Sequence, residues 1–312
     1  MNSGITREYT FAMCVYYVPI GALAALANFV NLAMYAHSKE ARKTYMVFIA
    51  LELGELINSL SFILTGAGRL EDLLSGHLYH EHSVHECFYT TYFVHAQILG
   101  TELPTLFLMQ ISMERICAVC WPERYNRIFT AWGKGLMIAA CTLLALGSIG
   151  AAAGSAYNNE FLNSSGHCGI IHSTAKWYST FHFIFIVIGF SSSLTSLLTM
   201  KFYSLKFRNT SAQAFRHDTK TNTLIAFMGA SLVLVASPSI VMIGMRWGLF
   251  ELGDVWIALS YSTTVLVSIA NMIINFVFRE DFRRTFFQCT NKVGITHHND
   301  ELFSHLHHTT ST

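Results

Sequence analysis

The residues of this chain that are best suited to chemistry are charged side chains set within or beside long apolar runs. Residues 113–125, MERICAVCWPERY, place Glu114 next to Arg115 at the end of such a run, and Glu55 and Glu102 stand deeper, each inside a run. A charged group in apolar surroundings is costly unless it is paired, so these residues are candidates for ion pairing, switching or ligand binding. Alternatively, the Arg115 guanidinium only reaches the polar surroundings at the end of its apolar run, and the neighbouring Glu114 has no functional role.

Enzyme signatures are missing from the sequence. It contains no glycine-rich phosphate loop, nucleophile elbow or zincin motif, and no basic aromatic patch typical of nucleic-acid binding. Residues 77–85, HLYHEHSVH, hold four histidines, but His85 follows His80-Glu81 one residue too late for the zinc-protease signature. We expect a solvated polar loop, with proton sensing or zinc binding as the alternative. The sequence therefore favours a protein that is not an enzyme and has no cofactor and no nucleic-acid partner.

The chain is strongly apolar along most of its length. Of its 312 residues, 52% are hydrophobic and 12% are charged, unlike an ordinary soluble domain. A helix needs about 20 apolar residues to cross a bilayer, and a closed barrel would instead show alternating segments of about 10 residues. Stretches of spanning length lie at roughly 11–36, 45–68, 88–119, 133–155, 177–203, 221–246 and 254–278. The sequence predicts an all-α membrane protein, a bundle of seven spanning helices.

Lysine and arginine are unevenly shared between the two faces of this bundle. Segments that follow the first, third, fifth and seventh spans carry sixteen of them. The opposite segments carry four, which are Arg7, Arg69, Lys176 and Arg246. Because cytoplasmic segments are enriched in these residues, we expect the N-terminus outside the cell and the C-terminus inside.

Two of the seven cysteines fall on the predicted outer face. Cys87 stands at the outer start of the third span, and Cys168 lies in the loop between the fourth and fifth spans. Disulfides persist in that oxidising compartment, so we predict a bridge between Cys87 and Cys168. Asn163 opens an Asn-Ser-Ser sequon in the same outer loop, which predicts glycosylation there.

Several segments resemble the rhodopsin-like G-protein-coupled receptors. That family ends its third helix with Asp/Glu-Arg-Tyr and often continues with Ala-Val and Pro-x-x-Tyr. The residues that keep this spacing are Glu114, Arg115, Ala118, Val119, Pro122 and Tyr125, with Ile116 in place of the tyrosine. The resemblance covers roughly residues 20–290. It implies a receptor that binds an extracellular small-molecule or peptide ligand and activates a heterotrimeric G protein at this segment.

The resemblance also implies a charged latch. In the family's resting state the helix-three arginine pairs with its neighbouring acid and with an acid at the base of helix six. Arg115 would therefore pair with Glu114 and with Asp218, which lies twenty residues before Pro238. Such a latch is worth ~1–3 kcal/mol, the usual scale of a switching bias. Outward movement of helix six would break it and open a cytosolic cleft for the G protein, lined by Arg115, residues 121–134 and the basic ends of helices five and six.

A polar core is expected where the family has its helix-two aspartate. Glu55 occupies that position, and Asn28 and Asn271 stand at matching positions in helices one and seven. We expect Glu55 to be hydrogen-bonded to both asparagines. The family's sodium site also needs a serine on helix three, where this chain has Pro104, so we expect no bound metal.

The resemblance places a ligand pocket between the outer ends of helices three, five, six and seven. The residues expected to line it are Gln97, Thr101, Glu102, Ser239 and Tyr261. Two roles are open for Glu102, which could pair with a cationic ligand or could cap the backbone groups that Pro104 frees.

The departures from the rhodopsin-like motifs resemble the nematode serpentine chemoreceptors. This narrower resemblance implies a small chemosensory ligand and a multi-pass protein of the plasma membrane, in the ciliary membrane of sensory neurons. We expect residues 1–289 to form the receptor domain. A short amphipathic cytosolic helix at about 279–289 would close that domain, and residues 290–312 would form a disordered cytosolic tail.

Two other classes of protein could also have seven apolar helices. A transporter or channel predicts paired, interrupted helices in two halves, a symmetry that the sequence does not show. A membrane-embedded metallohydrolase would need His95, His182 and buried acids at one depth. Substrate flux or bound metal would identify one or the other.

Overall fold

The chain folds into a bundle of long helices. The computed structural model describes residues 7–77, 80–163, 168–206, 212–250 and 252–288, with side chains except at 7–9, 163, 203–206, 212–221, 254 and 255. The helices, in chain order, are α1 (Arg7–Ala36), α2 (Lys39–Thr44), α3 (Met46–Ser75), α4 (Val84–Thr90), α5 (Tyr92–Cys120), α6 (Pro122–Ile128), α7 (Ala131–Ala156), α8 (Ile170–Ser173), α9 (Lys176–Lys206), α10 (Ala212–Ser231), α11 (Ser237–Arg246), α12 (Asp254–Phe278) and α13 (280–288). Two short strands, β1 (His82–Ser83) and β2 (Leu162–Asn163), pair antiparallel.

Within the described ranges, seven helical segments are long and apolar enough to cross a membrane. They are α1, α3, α5, α7, α9, the continuous run from α10 through α11, and α12. The predicted all-α bundle of seven helices is confirmed. The second span reaches Ser75, past its predicted end at residue 68, and stops at Gly76, whose φ of +81° suits glycine at a helix end.

The third span begins later than predicted. A short helix, α4, carries Cys87, and Thr91 (φ −100°, ψ 99°) interrupts the helical path before α5 starts at Tyr92. The predicted disulfide is confirmed, because Cys87 is bonded to Cys168 with their Cα atoms 5.3 Å apart. Pairing of β1 with β2 joins the same two loops. We call this side of the bundle the disulfide end and the opposite side the Arg115 end.

Helices α3 and α5 approach each other closely at small residues. A Cβ added to Gly100 would lie 2.5 Å from Asn58 Cα, and one added to Gly54 would lie 3.1 Å from Pro104 Cδ. Glycine permits this backbone approach, as small residues do between helices in membranes. The contact brings the segment around Glu55 against the centre of α5.

The sixth span bends in its middle. Residues Leu232–Ala236 form a π-helical turn between α10 and α11, and Pro238 follows it. Proline lacks an N–H, so the carbonyl of Leu234, four residues earlier, loses its helical donor. The Thr263 hydroxyl of α12 donates to that carbonyl at 2.9 Å. The bend in the sixth span is therefore tied to the seventh.

Candidate functional site

A cavity of about 330 Å³ opens at the Arg115 end. Its polar lining includes Tyr45, Glu114, Arg115, Tyr125, Lys134 and Arg279, which come from five different segments. We call it the Arg115 cavity. Three of the five residues predicted for the coupling site, Glu114, Arg115 and Tyr125, line it.

Glu114 pairs with a lysine that the sequence analysis did not single out. Lys134 Nζ lies 2.6 Å from Glu114 Oε1, and both side chains are 11% exposed. Lys134 stands in the first turn of α7, where Thr130 caps the helix by accepting from the Gly133 N–H at 3.1 Å. The expected pairing of Glu114 with Arg115 is corrected, since among the described residues Glu114 is paired with Lys134 instead.

Tyr125 also holds Glu114. Pro122 is the first residue of α6, a position that suits proline because the first turn of a helix leaves its N–H groups unpaired. One turn later the Tyr125 hydroxyl donates to Glu114 Oε1 at 3.1 Å. Burial, with Glu114 adding to it, raises the pKa of Tyr125, so the hydroxyl keeps the proton that it donates.

Arg115 has a buried hydrogen-bond donor in the cavity without a partner among the described residues. This donor is its Nε. Arg279, the other arginine of the lining, lies over the rings of Tyr35 and Tyr45 at 5.2 and 4.8 Å. Asp218 belongs to α10, but its side chain lies outside the described residues, so its pairing with Arg115 stays a prediction.

The polar core contains two buried glutamates, and their partners differ from those expected. Asn271 donates to Glu52 rather than to Glu55. The Glu55 carboxyl accepts from Ser268 at 3.3 Å, and Asn28 donates to Ser268 at 3.1 Å. Asn28 also donates at 2.9 Å to Ser59, whose hydroxyl donates to the Glu55 backbone carbonyl at 2.9 Å. The expected direct bonds from Asn28 and Asn271 to Glu55 are corrected accordingly.

Glu52 begins a chain of hydrogen bonds that runs to the Arg115 cavity. Asn271, which is bonded to Glu52, accepts from Asn275 at 3.2 Å. The Tyr35 hydroxyl donates to Asn275 at 3.0 Å and accepts from Arg279 at 3.1 Å. Both Asn275 and Arg279 line the Arg115 cavity. The polar core and the cavity are thus parts of one hydrogen-bond network. The feature of the sequence that could have indicated this network is Glu52, a second acid one helical turn before Glu55.

Of the five residues predicted to line a ligand pocket, three share one cavity, whereas Gln97 and Glu102 contact other side chains. Thr101, Ser239 and Tyr261 line one small cavity of about 20 Å³, enough for roughly one water molecule. Gln97 instead donates to Thr65 of α3 at 2.9 Å.

Glu102 faces α7 and α9. Its Oε1 lies 2.7 Å from His182 Nδ1 and accepts from Ser148 at 2.8 Å and from Tyr178 at 3.4 Å. The side chains of Glu102 and His182 are 3% and 0% exposed. Thr101 Oγ1 lies 3.2 Å from the other ring nitrogen of His182. These contacts commit Glu102 to other side chains, so neither a cationic ligand nor a backbone cap is needed to explain it.

A second cavity, of about 50 Å³, lies at the disulfide end. Arg69, Tyr17, Tyr261 and His172 supply its polar lining, beside apolar residues such as Met13 and Met245. Tyr261 was predicted to line a ligand pocket. Arg69 was not, although it is one of the four lysines and arginines on the predicted outer face.

The histidine-rich loop lies at the disulfide end. His82 Nδ1 is 3.2 Å from Glu86 Oε2, one turn away at the start of α4. Among the described residues no group of three or more His, Cys, Asp or Glu side chains is placed to hold a metal ion. Asn163 pairs through its backbone with His82, and its side chain lies outside the described residues.

Seven membrane-spanning helices, a disulfide at one end and an acid-arginine cavity at the other define a seven-transmembrane receptor. The family model described as serpentine type 7TM GPCR chemoreceptor Srx matches residues 77–270, more than half of the chain. The chain therefore belongs to the Srx family of serpentine chemoreceptors, a receptor family and not an enzyme family, and is a multi-pass membrane protein. No curated protein sequence matches it.

Proposed function

We propose that this receptor binds an extracellular ligand at its disulfide end and activates a heterotrimeric G protein at its Arg115 end. The observation that carries the proposal is the Arg115 cavity, about 330 Å³ in volume, in which Glu114 is held by Lys134 and the buried Nε of Arg115 has no hydrogen-bond partner among the described residues. The bias of lysine and arginine toward the Arg115 end supports an N-terminus outside the cell.

The bend in the sixth span supplies the moving part. Thr223 and Leu224 of α10 line the Arg115 cavity, so outward movement of α10 widens it. A π-helical turn next to a proline is a weak point in a helix, at which the two halves can swing relative to each other. A ligand that binds the open arrangement more tightly shifts a pre-existing equilibrium toward it.

The membrane-surface features fit the same orientation. In α13, Phe282 is 3% exposed and packs against Tyr35 with ring centroids 6.3 Å apart, while Arg284 is 72% exposed in its side chain. Such a helix suits the inner leaflet, with its aromatic side toward the bundle and its basic side toward anionic lipid. We place the receptor in the plasma membrane, at sensory cilia, with Asn163 glycosylated outside.

A small-molecule screen in cells that carry a promiscuous G protein tests the proposal. Wild type should respond to at least one compound, and Arg115→Ala should abolish the response at equal surface expression. Arg42→Ala is the matched control, because Arg42 is an exposed arginine of α2 that lies outside residues 121–134 and does not line the cavity. A response that survives Arg115→Ala, or one that Arg42→Ala reduces as strongly, would contradict the proposed role of the Arg115 cavity.

A further inference from the structure

The cavity at the disulfide end has the size of a ligand's head group. Its volume is about 50 Å³, room for roughly three to five water molecules when each needs ~10–15 Å³. Met13, Met245 and Ile257 contribute apolar surface beside Arg69. The site combines one permanent positive charge with an apolar lining. This combination binds an amphiphile in a fixed orientation.

Arg69 enters this cavity without a counterion among the described residues. It forms no ion pair with any of them, and its buried Nε has no hydrogen-bond partner there. The guanidinium carbon lies 5.9 Å from the centres of the Tyr17 and Phe93 rings, which hold it in place. Asp72 interacts with Arg69 electrostatically but is not within ion-pair distance. A buried guanidinium N–H without an acceptor is uncommon enough to need an explanation.

Tyr261 presents a second unused donor to the same cavity. Its hydroxyl is buried and has no hydrogen-bond partner among the described residues. The loop that follows the disulfide completes the wall, because a Cβ on Gly169 would lie 3.5 Å from Arg69 Nη2. One small acceptor group in this space could take hydrogen bonds from both Arg69 and Tyr261.

We infer that the cavity at the disulfide end is a carboxylate-binding site and that the receptor's ligand is a small amphiphile with a carboxylate head. This inference rests on the proposed function for its meaning as a ligand site. A carboxylate accepts several hydrogen bonds at once and matches the guanidinium fork of Arg69. An anionic ligand differs from the cationic ligand that was one of the two roles considered for Glu102, and Glu102 is already paired with His182.

Direct binding to the full chain in nanodiscs tests the inference without a G protein. The probes are hexanoate, hexanol and hexylammonium, with benzoate, benzyl alcohol and benzylammonium as an aromatic set, and the readout is the shift of the thermal unfolding midpoint with concentration. The carboxylate of at least one set should bind, and its matched alcohol and ammonium should not.

Two substitutions and a control locate the site. Arg69→Gln should weaken carboxylate binding roughly 10-fold or more, the scale of a hydrogen bond to a charged group. Tyr261→Phe should weaken it less and carries the test if Arg69→Gln does not fold. Arg246→Gln should leave binding unchanged, because Arg246 is at the same end but donates to the Thr174 carbonyl at 3.0 Å and does not line the cavity.

Several outcomes would overturn the inference. The first is that the ammonium or alcohol probes bind as tightly as the carboxylate. The second is that Arg69→Gln binds carboxylate as well as wild type does, or that Tyr261→Phe does so if Arg69→Gln fails to fold. The third is that no carboxylate binds up to about 10 mM, a concentration at which even a millimolar Kd would be detected. Basal nucleotide exchange on a G protein, measured in parallel, separates the two proposals. Exchange without carboxylate binding overturns only this inference, whereas carboxylate binding without any exchange contradicts only the proposed function.

Discussion

Replacing Lys134 with methionine should weaken signalling by releasing Glu114 to Arg115. In the structure Lys134 lies 2.6 Å from Glu114, and both side chains are 11% exposed. Methionine keeps the length of the lysine stem and removes its charge. Among the described residues, Glu114 then keeps the Tyr125 hydroxyl as its partner, and the adjacent guanidinium of Arg115 is the nearest replacement for Lys134 in the sequence.

The size of the effect follows from the burial of the pair. Two unit charges about 4 Å apart attract by about 4 kcal/mol at an effective dielectric of ~20. Removing one partner of a fully buried pair costs about 3–5 kcal/mol. The cost is smaller here because Tyr125 still donates to Glu114 and because Arg115 can turn toward Glu114. We therefore expect the state in which Glu114 holds Arg115 to gain about 1–3 kcal/mol over the state in which Arg115 is free. This lowers the population of the free state by about 5- to 150-fold.

A double-mutant cycle measures this bias. Ligand-evoked G-protein activation, normalised to surface receptor, is compared for wild type, Lys134→Met, Glu114→Gln and the double variant. Lys134→Met should shift the response to higher ligand concentration, and Glu114→Gln in the same chain should restore it, because residue 114 then offers Arg115 no carboxylate. Arg42→Met, at an exposed position of α2 outside the cavity, controls for loss of positive charge at this end. A double variant as weak as Lys134→Met alone would refute capture of Arg115 by Glu114.

Three further substitutions test other contacts. Thr263→Val removes the donor to the Leu234 carbonyl. It should lower the free energy of unfolding by about 1 kcal/mol and raise basal nucleotide exchange. Unchanged basal exchange would argue against restraint of the sixth-span bend by the seventh span. Glu102→Gln weakens the contact with His182, so it should lower the free energy of unfolding by about 1–3 kcal/mol, read as a lower thermal midpoint and lower surface expression. Ligand potency should stay unchanged, and a change in potency would return Glu102 to the ligand site. Cys87→Ser removes a disulfide whose cysteines are 81 residues apart and should lower the free energy of unfolding by about 2–4 kcal/mol. Labelling of the receptor at the cell surface should fall as a result, whereas full labelling would show that the disulfide is dispensable.

The spans and the disulfide could be predicted from sequence because their causes are local or compositional. Runs of about 20 apolar residues have few folding options in a bilayer, and the sidedness of lysine and arginine placed Cys87 and Cys168 in one compartment. The break at Thr91 escaped prediction, because neither a proline nor a glycine marks it.

The partners of the charged residues could not be predicted in the same way. Lys134 lies twenty residues after Glu114, on a different helix, and only the packing of α5 against α7 brings the two together. Glu52 and Glu55 are one turn apart, so the sequence alone could not assign Asn271 to one of them. Arg69 looked like an ordinary loop cation, and its unpaired Nε became evident only from the arrangement of its neighbours.

Nucleotide exchange on a heterotrimeric G protein by the receptor in nanodiscs is the most direct test of the proposed activity. The receptor should accelerate exchange above that with empty nanodiscs, and Arg115→Ala should remove most of the acceleration while Arg42→Ala keeps it. No acceleration with any G-protein subtype, or equal acceleration by wild type and Arg115→Ala, would contradict coupling through the Arg115 cavity.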